Sequence, residues 1–252
     1  MVRVVDDLKS ALILSGGFAL AASAVVPGLL QTLPPEARSL PLPLPAFCAV
    51  LSVQLLAVYG LLGLAGLRLA RGRGREPAPQ LTALWAPHAA CPGWSRVPFA
   101  FALGLGCGLL LVAAVATVQR TFPETLPQML HPSGFTTALL ASVAGSFGEE
   151  ILFRLFVLSL VLRLLPAGGS ATVAAVILSA IAFGAAHAPA FIFLFGGWRD
   201  VPAVSWLWLM ALNGLCGVTY GVVFLRYGIV SAVIAHLGTD VVWHAASQLV
   251  RV

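Results

Sequence analysis

Long, unbroken apolar runs constrain this chain more than any other feature of its sequence. Seven of them are about 20 residues long or longer, the length at which a helix crosses the hydrocarbon core of a bilayer. The alternative membrane structure, a β-barrel, would show segments of about 10 residues with alternating polarity. The sequence therefore predicts an all-α, polytopic transmembrane bundle of about seven spans, or eight with an interfacial helix. The predicted spans are 11–32, 46–67, 98–118, 135–165, 171–190, 203–225 and 229–250.

The charged residues support a membrane protein and do not suggest a nucleic-acid partner. Only 9% of residues are charged, against roughly 25% in soluble domains, too few to cover a soluble surface. The net charge is +5, but the basic residues form no long tract with interleaved aromatic residues, and five of them lie between Arg68 and Arg96. The bilayer is thus the predicted partner. Arginine is used almost to the exclusion of lysine, which favours a bacterial source and its plasma membrane.

The distribution of basic residues predicts an orientation. If the loop at 68–97 is cytoplasmic, nine basic residues lie on that side and four on the other. This excess favours a cytoplasmic N-terminus. The same loop contains Trp85, His88, Cys91 and Trp94 among prolines, which is typical of a stretch at the membrane surface.

A few ionisable residues interrupt the apolar runs, and all lie in the C-terminal half. A charge at the bilayer centre costs a few kcal/mol or more, so such residues face the bundle interior, pair with one another or act in function. This asymmetry predicts two parts, 1–134 with spans of unassigned role and 135–250 with the active site. The residues are Glu149, Glu150, Arg154, His187, His236, Asp240 and His244.

Spacing separates the two glutamates. Glu150 and Arg154 are four residues apart, so they share a helix face and form a supporting pair. Glu149 is rotated by about 100° and has no partner nearby in sequence, which makes it the candidate general base. Gly145 and Gly148 leave space beside it for a substrate or a neighbouring helix.

Two further pairs have the same spacing. Phe183 lies on one face with His187, and His236 lies on one face with Asp240. Two imidazoles and several carboxylates are able to hold zinc or another divalent metal, with His187, His236, Asp240 and Glu149 as candidate ligands. Glutamate and histidine are equally able to activate water without a metal. His244, near the end of its run, is better suited to the membrane surface.

Together, Glu149-Glu150-x-x-x-Arg154, Phe183-x-x-x-His187 and His236-x-x-x-Asp240 resemble the three motifs of the CPBP family. That family groups type II CAAX prenyl endopeptidases with bacteriocin-processing and bacteriocin-immunity (Abi) proteins. The resemblance covers roughly 135–250.

The resemblance implies an intramembrane endopeptidase, labelled a metalloprotease in many members, that cleaves a peptide or protein substrate in the membrane. Glu149 would polarise water and His187 would assist it or bind a metal. His236 and Asp240 would hold the oxyanion or complete a metal site, while Glu150, Arg154 and Phe183 would support them. CAAX endopeptidases have Asn where this chain has Asp240, and an ionised Asp cannot donate to an oxyanion.

Two other functions fit the same polar residues. A proton-coupled transporter also uses intramembrane Glu and His, although related halves are then expected. A catalytically idle immunity or scaffold protein would tolerate the loss of Glu149. The sequence does not indicate an oligomeric state.

Overall fold

The computed structural model describes residues 2–33, 35, 38–85, 94–122 and 134–250, with side chains placed between 4 and 244. Every regular element in these ranges is helical, which confirms the predicted all-α class. Short 3₁₀ turns at Trp94–Arg96 and Trp198–Asp200 complete the set. The helices are α1 (Val2–Thr32), α2 (Leu44–Arg71), α3 (Pro79–Trp85), α4 (Val97–Thr121), α5 (Phe135–Glu149), a π-helical segment (Glu150–Leu158), α6 (Ser159–Leu164), α7 (Gly169–Ala186), α8 (Ala188–Leu194), α9 (Ala203–Tyr227) and α10 (Ile229–Val250).

Five helical stretches of the described chain are long and apolar enough to cross a membrane, as a multi-pass protein requires. The other two predicted spans are also helical. One is divided by the π segment, and the described apolar part of the other, Ile229–His244, is shorter. The count of seven is therefore not confirmed. The five stretches are Val4–Thr32, Leu44–Arg71, Trp94–Thr121, Gly169–Leu194 and Ala203–Tyr227.

One end of the bundle collects a cluster of basic residues. Asp7 near the start of α1 forms an ion pair of 2.9 Å with Arg71 at the end of α2. The backbone N–H of Ile229, at the start of α10, donates to the carbonyl of Pro77 over 2.8 Å. Arg73 donates to the carbonyls of Arg163 and Leu165, at the end of α6. We call this the basic end.

Small residues bring α4 and α10 close together. A Cβ at Gly104 would overlap the carbonyl oxygen of Ala235, and one at Gly238 would lie 2.7 Å from the carbonyl oxygen of Phe101. Thr239 also donates from its hydroxyl to the carbonyl of Gly104 over 3.0 Å. This glycine seam fixes the position of α10 and hence of His236.

The stretch predicted to lie at the membrane surface begins with α3, which packs against the basic end. Fully buried Gln80 donates to the carbonyl of Tyr227 over 2.8 Å and to the hydroxyl of Ser231 over 2.9 Å. His88 and Cys91 lie outside the described residues.

Candidate active site

His236 on α10 lies at the centre of the predicted site and is only 4% exposed. Its Nδ1 is 2.9 Å from Oε1 of Glu150, so Nδ1–H donates to that carboxylate. A carboxylate bound to one ring nitrogen fixes the tautomer and the ring orientation. The opposite nitrogen, Nε2, lies 3.8 Å from Oε2 of Glu149 and 3.5 Å from Oδ1 of Asp240.

Nε2 of His236 and the two nearby carboxylate oxygens are all hydrogen-bond acceptors in the neutral tautomer, so a hydrogen atom must lie among them. In the neutral tautomer fixed by Glu150, Nε2 carries a lone pair and faces two carboxylate oxygens. These three atoms repel one another unless a proton or a water molecule lies among them. Separations of 3.5 and 3.8 Å are longer than the usual direct hydrogen bond.

Glu150 and Arg154 form the pair that their spacing predicts. Nη1 of Arg154 is 3.2 Å from Oε1 of Glu150, and both side chains are fully buried. The same Oε1 also accepts the hydrogen bond from Nδ1–H of His236, so Glu150 links Arg154 to the central histidine. Sequence reasoning missed this second role, because it joins residues that lie 86 positions apart.

Aromatic rings enclose Arg154 and His236. The guanidinium carbon of Arg154 lies 4.2 Å from the ring centroid of Phe183 and 5.2 Å from that of Tyr220. Tyr220 also stacks on His236, with centroids 4.6 Å apart and an interplanar angle of 17°. Phe183 was predicted as a supporting residue, whereas Tyr220 was missed. A tyrosine in an apolar helix gives no sequence signal of its ring contacts.

His187 lies at the end of α7. Its Nδ1 is 2.9 Å from the carbonyl oxygen of Phe183, one turn earlier, so Nδ1–H donates to the backbone. The neutral ring then presents Nε2 as an acceptor. The ring also packs edge-on against Phe183, with centroids 5.0 Å apart.

A cavity of about 290 Å³ opens beside these side chains. His187, His236 and Asp240 line it, together with Tyr220 and Asn213, and most of the remaining wall is aliphatic or aromatic. Neither Glu149 nor His244 is among its lining residues. The Glu149 side chain is 35% exposed, and it contacts the site residues through His236.

The two glycines near Glu149 have different neighbours. A Cβ at Gly148 would lie 2.6 Å from the ring of Phe18, so α1 occupies the space that this glycine leaves. A Cβ at Gly145 would lie 3.3 Å from Oδ2 of Asp240 and 4.0 Å from Oε1 of Glu149. Gly145 therefore leaves room beside the two carboxylates.

The candidate metal ligands do not converge on one point in the described part of the chain. Within the described ranges, no three His, Cys, Asp or Glu side chains are grouped as a metal ion would require. Zinc needs ligand atoms at about 2.0–2.3 Å around one point. The candidate ligands His187, His236, Asp240 and Glu149 do not meet that requirement as they stand, and the metal-assisted scheme stays a prediction.

The long apolar helices and the cluster of His236 with its neighbouring carboxylates together define a multi-pass membrane protein with a histidine–carboxylate site inside its helical bundle. Residues 131–242 match the family model described as Type II CAAX prenyl endopeptidase Rce1-like. The resemblance drawn from the three motifs is thereby confirmed. No curated protein and no solved structure matches the chain.

Proposed function

We propose that this protein is an intramembrane endopeptidase that hydrolyses peptide bonds of membrane-associated or CAAX-like substrates. The observation that carries the proposal is the convergence of Glu149 and Asp240 on Nε2 of His236, whose other nitrogen is held by Glu150. Buried carboxylates that orient an imidazole are typical of hydrolytic sites. The family match of residues 131–242 supports the same reaction class.

In the proposed reaction, Glu149 takes a proton from a water molecule held between its carboxylate and His236. The oxygen of that water attacks the substrate carbonyl carbon, and a tetrahedral oxyanion forms. The C–N bond then breaks as Glu149 returns the proton to the departing nitrogen, which leaves a carboxylic acid and an amine. The first step needs a base within hydrogen-bond reach of the water, and the last step needs the same carboxyl group in its protonated form.

Donors for the oxyanion come from the cavity wall. His236 donates when Nε2 carries a proton, and His187 donates in its imidazolium form. Asn213 offers an amide hydrogen that an ionised Asp240 lacks. Its Nδ2 gives one hydrogen to the carbonyl of Leu209 over 2.9 Å, which leaves the second available. Preorganised donors of this kind are among the largest contributions to catalysis.

The remaining features of the proposal concern the whole chain. Residues 135–250 form the catalytic core, and 1–134 supply membrane spans that support it. The chain crosses a bacterial plasma membrane seven times, with the basic end in the cytoplasm. The apolar wall of the cavity suits an apolar peptide segment that enters from the bilayer.

Cleavage by purified protein in detergent tests the proposal. The substrates are a farnesylated CAAX reporter peptide, the same peptide without the lipid and a membrane-spanning reporter. Glu149→Gln keeps the shape of the side chain but removes the base, so the rate should fall by about 100- to 10,000-fold. Asp200→Asn, an exposed change in the α8–α9 connection, is the matched control and should leave the rate unchanged.

Three outcomes contradict parts of the proposal. Undiminished cleavage by Glu149→Gln removes the base assignment. Failure of the folded wild-type protein to cleave any substrate favours the scaffold or transporter alternatives. Chelation with 1,10-phenanthroline should not reduce the rate; a loss that added zinc restores would show that a metal is needed.

A further inference from the structure

A second, smaller cavity lies at the basic end, away from the candidate active site. Its volume is about 130 Å³, and it lies between the loop after α2 and the loop that joins α6 to α7. Arg73 and Arg75 line it from one side, while Gly168, Ala171 and Thr172 line it from the other.

The two arginines bring positive charge that the described residues do not balance. Arg71, close by in sequence, pairs with Asp7 and with Glu76, each at 2.9 Å. Neither Arg73 nor Arg75 has a carboxylate within 4.0 Å in the described part of the chain. Arg73 is held by the carbonyls of Arg163 and Leu165, yet its buried Nε has no hydrogen-bond partner there. A buried donor and an unbalanced charge on one wall favour an anion.

The first turn of α7 forms the opposite wall. Gly168 precedes this helix and provides no side-chain cap, and the first turn holds no acidic residue. The first amide groups of a helix lack partners within the helix, and the helix dipole makes this end positive. Phosphate groups bind to such ends, and arginines on the facing wall add charge and directed donors.

The position of the cavity indicates the source of the anion. It lies where α2 and α6 end and α7 begins, at the boundary of the membrane-spanning region. Leu164, next to this loop, is 75% exposed, which is favourable for an apolar side chain when it contacts acyl chains. The phosphates that occur at such a boundary are those of lipid headgroups, and the cytoplasmic leaflet is rich in anionic lipids.

We propose that this cavity binds the phosphate of an anionic phospholipid, held between Arg73, Arg75 and the first turn of α7. The bound lipid would link the loop after α2 to the α6–α7 loop, and so join the N-terminal spans to the catalytic part. This site is independent of the proposed peptidase activity.

Native mass spectrometry of delipidated, full-length protein tests the site. The probes are phosphatidylglycerol, phosphatidylcholine and inorganic phosphate. One phosphatidylglycerol should bind at least about tenfold more tightly than phosphatidylcholine, because both lipids carry the phosphate but the trimethylammonium group of phosphatidylcholine is repelled by the two arginines. Arg75→Gln should weaken phosphatidylglycerol binding by about tenfold or more.

Two further variants separate the site from general effects. Ala171→Asp places a carboxylate in the cavity at a position favourable for the start of a helix, so it should remove binding while the protein stays folded. Arg226→Gln changes an exposed arginine at the same end but outside the cavity, and should alter affinity by less than about twofold.

The proposal is overturned if both lipids bind equally, or if Arg226→Gln loses as much affinity as Arg75→Gln. Displacement of phosphatidylglycerol by micromolar inorganic phosphate would overturn the lipid assignment, since the site would then take the free anion.

Discussion

Single residues in this site depend on their neighbours in space more than on their neighbours in sequence. Glu150 was predicted to pair with Arg154, and the pair forms at 3.2 Å. Its contact of 2.9 Å with His236 gives it a larger role, since it sets which nitrogen of that ring faces the cavity. Tyr220, which is 1% exposed, fixes the plane of the same ring by stacking.

Tyr220 is therefore a positioning residue, and its ring matters more than its hydroxyl. Tyr220→Phe keeps the stacking on His236 and should retain kcat to within about threefold. Tyr220→Leu removes the ring, and since an aromatic pair contributes about 0.5–1.5 kcal/mol, kcat should fall by about tenfold with little change in KM. Steady-state cleavage assays on the folded variants measure both, and equal behaviour of the Phe and Leu variants would contradict the role.

At the scale of elements, contacts between helices decide where the motifs meet. The glycine seam brings α4 against α10 with almost no side chain between them. The π segment is tied to its surroundings by Ser179 on α7, whose hydroxyl donates to the carbonyl of Phe153 over 2.7 Å. These contacts hold Glu150 on one helix and His236 on another at a fixed separation.

Gly104→Ala should separate α4 from α10. The added Cβ would overlap the carbonyl oxygen of Ala235, and overpacking of this kind costs about 1–3 kcal/mol. Gly106→Ala on the same helix is the matched control, because no atom lies within 4 Å of its added Cβ. Thermal unfolding in detergent should show a lower Tm for Gly104→Ala alone. Equal Tm values for the two variants would show that the seam is not tightly packed.

At the scale of the whole molecule, the charge distribution predicts an orientation in the membrane. The ends of α2 and α6 and the starts of α1, α7 and α10 meet at the basic end, which holds Arg68, Arg71, Arg73, Arg75, Arg163 and Arg226. Because these helix ends and starts lie at one end of the bundle, successive spans run in opposite directions, as the distribution of basic loops in the sequence predicts. Basic loops stay on the cytoplasmic side.

Thiol labelling in intact cells should reveal that orientation. In a background whose four native cysteines are replaced by alanine, Trp198→Cys should react with a membrane-impermeant maleimide added outside the cells. Trp198 is 66% exposed in the α8–α9 connection. Ala167→Cys, in the exposed α6–α7 loop, should react only in inside-out vesicles. The reverse pattern would place the basic end outside.

The sequence alone determined the membrane class, the helical fold and the chemistry available in the C-terminal half. It did so because apolar run length and buried charge are local properties with large energetic consequences in lipid. Spacing also predicted the Glu150–Arg154 pair, since i and i+4 residues share a helix face whatever the tertiary structure.

Only the tertiary structure decided how these groups face one another. It joined Glu150 to His236 and stacked Tyr220 on the His236 ring. It also placed His187 and Asp240 on the wall of one cavity and brought Glu149 close to Nε2 of His236. It also brought Arg73 and Arg75 to the start of α7. The physical reason is that helix packing depends on side-chain shape and close glycine contacts between distant segments, which no local pattern specifies.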